Sequence, residues 1–302
     1  MVCLGLKSAI NPRISDALMK KNMLHARNSY FLNKNENHAG NKREKGLIKS
    51  LKKETSGDRS QCDIGNLRGM LSIIIPVWKE AETLPRLINA LVNQGACSED
   101  IEVIIVTCPG DEFYDPKAYP YENLCFVRSK ERGRASQLNY GARLAKGDIL
   151  YFLHADTFPP HGFVASIQAS IQEGKPCGSF WIKFDESHWS LCMFSYLFRF
   201  STPYLRFGDQ SLFVSKDLFL KTGGYDTSTL IMEGQEYAFR LYKTGSFRLL
   251  TSFVISSGRK FRQNGTLRLL MVYAFIYIMY HLGFSQNKLV SIYRMWIHGA
   301  NI

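Results

Sequence analysis

A chain of 302 residues with 45% hydrophobic residues can bury a real core, which excludes disorder throughout. The net charge of +12 is concentrated at the ends: residues 1–69 carry 14 Lys/Arg against 6 Asp/Glu, residues 258–302 carry 6 against none, and the middle nets −2. A near-neutral body with two basic ends argues against a nucleic-acid-binding core, which would carry its basic stripe on the folded domain. The seven cysteines form no CxxC pair and no Cys/His cluster at zinc spacing, so neither a disulfide framework nor a metal knuckle is expected, and a reducing, cytoplasmic setting is the simplest reading.

Residues 1–69 are rich in Asn, Lys, Ser and Gly without a sustained apolar period, and are read as a disordered basic leader. Organellar targeting by this leader is a second reading. At Leu71 the character changes to LSIIIPV, a continuous run of the kind covered on both faces. Leu84, Leu87, Ile88, Leu91 and Val92 then recur at helical spacing, and a second apolar strand spans 101–106. Strand, helix and strand at these lengths predict a right-handed βαβ unit with parallel strands.

A short strand at 124–127 leads into GRASQLNYGARLAKGDILYFLHAD, read as loop, helix, tight turn, buried strand and a carboxylate, Asp156, at the strand's end. Ligands in open α/β sheets bind beyond the carboxyl ends of the strands, so Asp156 is the first candidate for chemistry. Helices are then expected over Phe163–Ile171, over 189–200 and over 233–243, with strands over 178–184, 212–214 and 247–255. From Thr266 the chain reads as a helix apolar nearly all round. The expected organisation is a leader (1–69), one α/β domain (70–258) and a helical tail (259–302).

Three polar clusters stand at strand ends or helix starts: Pro76 with Glu80 and Glu82, HAD at 154–156, and GDQ at 208–210 with MEGQE at 232–236. Several carboxylates and no zinc ligands suggest a hard divalent cation, Mg²⁺ or Mn²⁺, held by few protein oxygens and completed by phosphate.

The ordered set SIIIPVWKEAETL, GRASQLNYGARLAKGDILYFLHADT, FGDQSLFV, GGYD, MEGQEYAFRLYKTG and SSGRKFRQNG resembles family 2 glycosyltransferases. The similarity is to the bacterial subgroup found alongside radical-SAM/selenodomain proteins and, more distantly, to carotenoid-acid glycosyltransferases. It covers about Met70 to the C-terminus and none of the leader.

This resemblance implies a GT-A fold, a mostly parallel Rossmann-like sheet with flanking helices. It also implies a nucleotide-diphosphate sugar donor, a divalent cation and inversion at the anomeric carbon. By position, Pro76 and Glu80 would meet the base or ribose, and Gly133, Arg134, Gln137 and Asn139 the rest of the donor. Asp156 would hold the metal, since His154-Ala155-Asp156 stands where other members carry DxD. Asp209 and Gln210 would contact acceptor or sugar, and Arg259 and Lys260 the diphosphate.

The chain departs from the pattern twice. The strand at 101–106 runs into Thr107-Cys108-Pro109 where an Asp is usual, and Gly234 stands where the family's general-base Asp is expected. Either Glu233 or Glu236 substitutes as base, or the protein is a catalytically impaired nucleotide-sugar-binding or membrane scaffold.

The apolar stretch of the tail, Leu269–Tyr280, is twelve residues and spans only about 18 Å, short of a hydrocarbon core of roughly 30 Å. Two readings stay open: docking at a membrane interface, which would bring a lipid acceptor, and packing on the domain or in a homodimer.

Overall fold

The computed structural model describes residues 69–298 except positions 97, 99, 112 and 113; the expected leader, but for its last residue, lies outside the described residues. One mixed eight-stranded sheet runs through the molecule in the order β3-β2-β1-β4-β7-β6-β8-β5. β1 (Leu71–Pro76), β2 (Ile101–Thr107), β3 (Leu124–Arg128) and β4 (Ile149–Phe152) form its parallel half. β7 (Leu212–Ser215) lies antiparallel to β4 and to β6 (Cys177–Phe184). β6 pairs in parallel with β8 (Phe247–Ser256), which closes on the two-residue β5, Thr157–Phe158.

The unbroken apolar runs are explained by cover on both faces. Alternate side chains of one strand point to opposite layers. Ile73, Ile75, Val103, Ile105 and Tyr151 enter one core with Leu84, Leu87, Ile88 and Leu91 of α1 (Thr83–Asn93). Ile74, Ile104, Val106 and Phe152 enter the other with Ala135, Leu138 and Ala142 of α2 (Arg134–Leu144).

The small face of α2 lets it lie close to the sheet. A Cβ on Gly141 would stand 2.5 Å from Ile74 Cγ2 and 2.9 Å from Val106 Cγ2, so any side chain there would push the helix outward. This close seat delivers the N-terminus of α2 to the carboxyl ends of β1 and β2.

The turn from α2 into β4 is held by a buried carboxylate. Glu102 Oε1 accepts from the Ser72 hydroxyl at 2.5 Å and from the backbone N–H of Lys146 at 2.5 Å and of Gly147 at 3.2 Å. Truncating it strands those donors, so Glu102→Ala is expected to cost about 2–3 kcal/mol in denaturant unfolding.

After β5 come α3 (Phe163–Gln172) and α4 (Trp189–Leu197). α5 (Lys216–Thr222) follows β7, and α6 (Glu233–Tyr242) precedes β8. α7 (Arg259–Asn264), α8 (Thr266–His281) and α9 (Gln286–Trp296) complete the described chain. α5 is not among the helices expected from the sequence, and α7 and α9 lie within the expected helical tail without expected bounds of their own. α5 carries legible caps, since Ser215 Oγ accepts from Leu218 N at 3.3 Å and Gly223 closes the helix at φ 78°.

α8 is apolar all round yet two-sided in its packing. Leu269, Val272, Ile276 and Met279 are buried with Leu191 of α4, Phe261 of α7 and Leu289 of α9. Met271, Phe275 and Ile278 remain exposed. Among the described residues no helix is long and apolar enough to cross a membrane.

Candidate functional site

A cavity of about 1100 Å³ opens at the carboxyl ends of the parallel strands and extends between α4 and α8. Glu80, Gly133, Arg134, His154, Asp156, Asp209, Glu233 and Lys260 line it, from six separate stretches of the chain. The fold explains the meeting. β1 ends at Pro76, the loop beyond it carries Trp78 and Glu80, α2 starts at Arg134, and β4 delivers His154 and Asp156. β8 joins them because Thr157 pairs with Ser256 and Ser257 N donates to the Asp156 carbonyl at 3.0 Å, which draws Arg259 and Lys260 to the same rim.

Ion pairs link residues far apart in sequence. Arg134 Nη1 donates to Glu233 Oε1 at 2.9 Å, joining the starts of α2 and α6. Arg259 Nη2 donates to Glu80 Oε1 at 3.0 Å, so two of the expected donor-binding residues are held against each other. Glu80 also accepts from the Thr83 hydroxyl.

His154 Nδ1 stands 3.0 Å from Asp209 Oδ1. Burial would raise the Asp209 carboxyl, but hydrogen bonding and charge from His154, with Arg134 and Lys260 nearby, hold it well below the usual carboxylate range. Its side chain is still 51% exposed to the cavity, so it can reach a ligand.

Gly234 sits under this pair. A Cβ there would meet Gly208 N at 2.6 Å and Gly208 Cα at 2.7 Å, and a Cβ on Gly208 would meet His154 Nε2 at 2.9 Å. The His154 ring, Gly208 and Gly234 are thus stacked without room for a side chain. Asp209, the next residue along, presents its carboxylate to the cavity beside them.

The other expected site residues divide. Gln137 lines the cavity, but its Nε2 donates to the carbonyls of Val77 at 2.8 Å and Val106 at 2.7 Å, tying the ends of β1 and β2. Asn139 bonds both backbone groups of Tyr225, at 2.8 and 2.9 Å, and does not line the cavity. Asn139→Ala is therefore expected to lower unfolding free energy by about 1–3 kcal/mol while leaving nucleotide affinity unchanged by calorimetry.

Gln210 is buried and donates to Leu205 O at 2.7 Å. Glu236 is not brought to the site. It forms a two-bond fork with Arg240, both contacts at 2.7 Å, and Arg240 in turn donates to the carbonyls of Thr222 and Gly224 at 2.6 Å.

Trp78, not among the expected site residues, also belongs to the site. Its ring lies in the cavity wall with the Arg132 guanidinium 4.1 Å from its centroid, a platform suited to a planar ring. An aromatic directly after a buried strand, in a polar loop, was the available signal.

The donor set fits a hard cation. The Asp156 carboxylate has no hydrogen bond or ion pair within the described residues. Among those residues no three His, Cys, Asp or Glu side chains cluster as a complete ligand set, so a bound Mg²⁺ or Mn²⁺ would depend on oxygens of a phosphate ligand.

Residues 72–216 match the family model for glycosyl transferase family 2. An uncharacterized glycosyltransferase from Haemophilus influenzae is 27% identical over 191 residues, 59% of this chain and 64% of that protein. YfnE, an uncharacterized glycosyltransferase from Bacillus subtilis, is 35% identical over 119 residues, 36% of this chain and 30% of that protein. The chain thus spans under two thirds of the length of these relatives.

Among solved structures, the mannosyltransferase PcManGT from Pyrobaculum calidifontis, in complex with GDP-Man and Mn²⁺, aligns with a TM-score of 0.55 at 16% identity. That alignment covers 76% of this chain and 68% of that one. Staphylococcus aureus TarS 1–349 aligns at 0.50 and 15% identity, over 74% and 68%. At such identities the likeness is one of fold, and the fold is the GT-A arrangement expected from the sequence.

Proposed function

From the family 2 glycosyltransferase domain that this chain carries, we propose an inverting transferase that moves a sugar from a nucleotide-diphosphate sugar to an acceptor hydroxyl or carboxylate. The observation that carries the reading is one cavity holding the unpaired Asp156 carboxylate, the cations Arg134 and Lys260, and the Asp209–His154 pair. Anions of a diphosphate complement those cations, and the half-buried Trp78 ring in the cavity wall suits a nucleobase.

Asp156 would hold the divalent cation together with donor phosphate oxygens; such an ion neutralises the diphosphate as it leaves. The Mn²⁺ and GDP-Man bound by PcManGT support this choice of cofactor and donor class.

In the transfer step the acceptor oxygen attacks the anomeric carbon from the face opposite the diphosphate. A new C–O bond forms as the bond to the phosphate oxygen breaks, and the bonding electrons leave with the diphosphate. Asp209 takes the acceptor proton, with His154 fixing the orientation of its carboxylate. Arg134 and Lys260 meet the charge that grows on the leaving group. Glu233 orients Arg134 rather than acting as base, because it is committed to that guanidinium and its side chain is 5% exposed.

Gly234 favours one second reading, a domain that binds nucleotide sugar without turning it over. Thermal shift of the full chain with UDP and GDP, with and without Mn²⁺, followed by donor hydrolysis, decides between them. Metal-dependent stabilisation with turnover supports the transferase, stabilisation without turnover across a broad donor and acceptor panel supports the second reading, and no metal-dependent nucleotide response sinks both.

A further inference from the structure

Away from the strand ends, the cavity wall becomes hydrocarbon. Trp189 and Met193 stand one turn apart on α4, and Leu267 and Met271 one turn apart on α8. All four line the cavity and yet are 63%, 61%, 52% and 67% exposed, so they form its lips rather than its floor. Phe184, Phe261 and Tyr273 line it further in, on the way to Asp209.

Four large apolar side chains left in water around one opening mark a binding surface. The outer side of α8 extends it, with Phe275 stacked on Trp296 of α9 at 6.1 Å between ring centroids and Ile278 and Leu282 exposed beyond. The charge around it is predominantly basic: residues 258–302 hold six Lys/Arg and no Asp/Glu, Arg268, Lys288 and Arg294 are exposed, and the nearby acids Asp185 and Glu186 are paired with Arg262.

We propose that the apolar half of the cavity is an acceptor subsite for the hydrocarbon chain of a lipid, loaded from an anionic membrane surface on which α4 and α8 dock. The proposal rests on the transferase reading. Two features favour this occupant. Apolar and aromatic lips with the exposed cations Arg268, Lys288 and Arg294 beside them suit an anionic bilayer interface. The groove is also continuous with the cavity that holds Asp209, so a chain lying in it would present its polar head to the reacting groups. A protein partner seated on the lips would cover the entrance instead. Among the described residues no helix is long and apolar enough to cross a membrane, so the contact proposed for α4 and α8 is with the membrane surface.

The test uses the full chain, neutral phosphatidylcholine vesicles, and vesicles with about 30% phosphatidylglycerol. Sedimentation should show roughly tenfold stronger binding to the anionic vesicles, and the double substitution Trp189→Asp/Met271→Asp should weaken it roughly tenfold with unchanged melting. Below its micellar concentration, dodecyl glucoside should bind roughly tenfold more tightly than hexyl glucoside. A second double variant, Met193→Asp/Leu267→Asp, guards against a local folding defect in the first.

Vesicle binding that ignores both variants, or alkyl binding without chain-length dependence, overturns the proposal. So does a wild-type dimer that the variants convert to monomer without loss of vesicle binding, since the face would then be a contact between copies. Wild-type protein that responds to nucleotide and Mn²⁺ but to neither vesicles nor alkyl chains removes this inference and leaves the transferase standing. Vesicle binding without any nucleotide response removes the transferase reading and the acceptor role with it.

Discussion

Replacing Asp156 with asparagine is expected to abolish the Mn²⁺-dependent part of nucleotide binding and to lower turnover by roughly 10²–10³, about 3–4 kcal/mol of lost charge stabilisation. The amide keeps the shape of the side chain and removes the anionic ligand. The carboxylate has no protein partner within the described residues, so the change breaks no internal bond and the unliganded protein should melt as before. What should vanish is the Mn²⁺-dependent share of the gain with ligand, the whole of which for wild type at nucleotide about 100-fold above its Kd is about 2.7 kcal/mol. Calorimetric titration of UDP and GDP with and without Mn²⁺ reads this directly. Retention of the metal-dependent increment in Asp156→Asn would mean that the cation is held elsewhere.

The second large effect concerns the base. Asp209→Asn is expected to reduce kcat by roughly 10³ with little change in donor KM, within the range of general-base contributions. Glu236→Gln should leave kcat near wild type, because its carboxylate is spent on Arg240. Gly234→Asp, which places an Asp where the sequence resemblance leads one to expect it, should not raise activity. Its Cβ would stand 2.6 Å from Gly208 N, a backbone atom that cannot swing aside, so a loss of about 1–3 kcal/mol in stability and displacement of Asp209 are expected. A silent Asp209→Asn, or a faster and equally stable Gly234→Asp, would refute the assignment.

The pH dependence carries a sign that checks the same residue. Asp209 is held below the ordinary carboxylate range by His154, Arg134 and Lys260, against the desolvation of its cavity setting. It therefore stays ionised as pH falls from 7 to about 5, and the base should impose no acidic limb on kcat/KM over that interval. For stability, a depressed folded pKa means that its contribution is present above the unfolded value of about 3.9 and is lost as pH falls further toward the folded value.

Much of the parallel half was legible. The uninterrupted runs at β1 and β2 identified strands covered on both faces, and the spacing of Leu84, Leu87, Ile88 and Leu91 identified α1. Asp156 stood out because an apolar strand stops and a polar residue follows. Less was legible after β5. The order β4-β7-β6-β8 is antiparallel at two joints, and short strands such as Leu212–Ser215 carry no pairing partner in their own pattern. Within the expected helical tail the bounds of α9 were not legible, because only Leu289 and Val290 are buried in it, too few to print a helical period.

The sequence by itself determined the features that depend on nearest neighbours: which runs are strands, where several helices start, that Asp156 lies just beyond β4, and, through ordered motifs, the family that residues 72–216 match. Tertiary structure alone decided what those residues touch. It paired Arg134 with Glu233 across 99 positions and Glu80 with Arg259 across 179, and turned Asn139 and Glu236 to structural bonds. It also showed why residue 234 is glycine. The backbone of Gly208 occupies the space a side chain would need, and Asp209 stands beside it. Periodicity reports which face of an element is buried, whereas contacts between elements depend on how closely the layers seat, and that distance is set by side chains scattered over the whole chain.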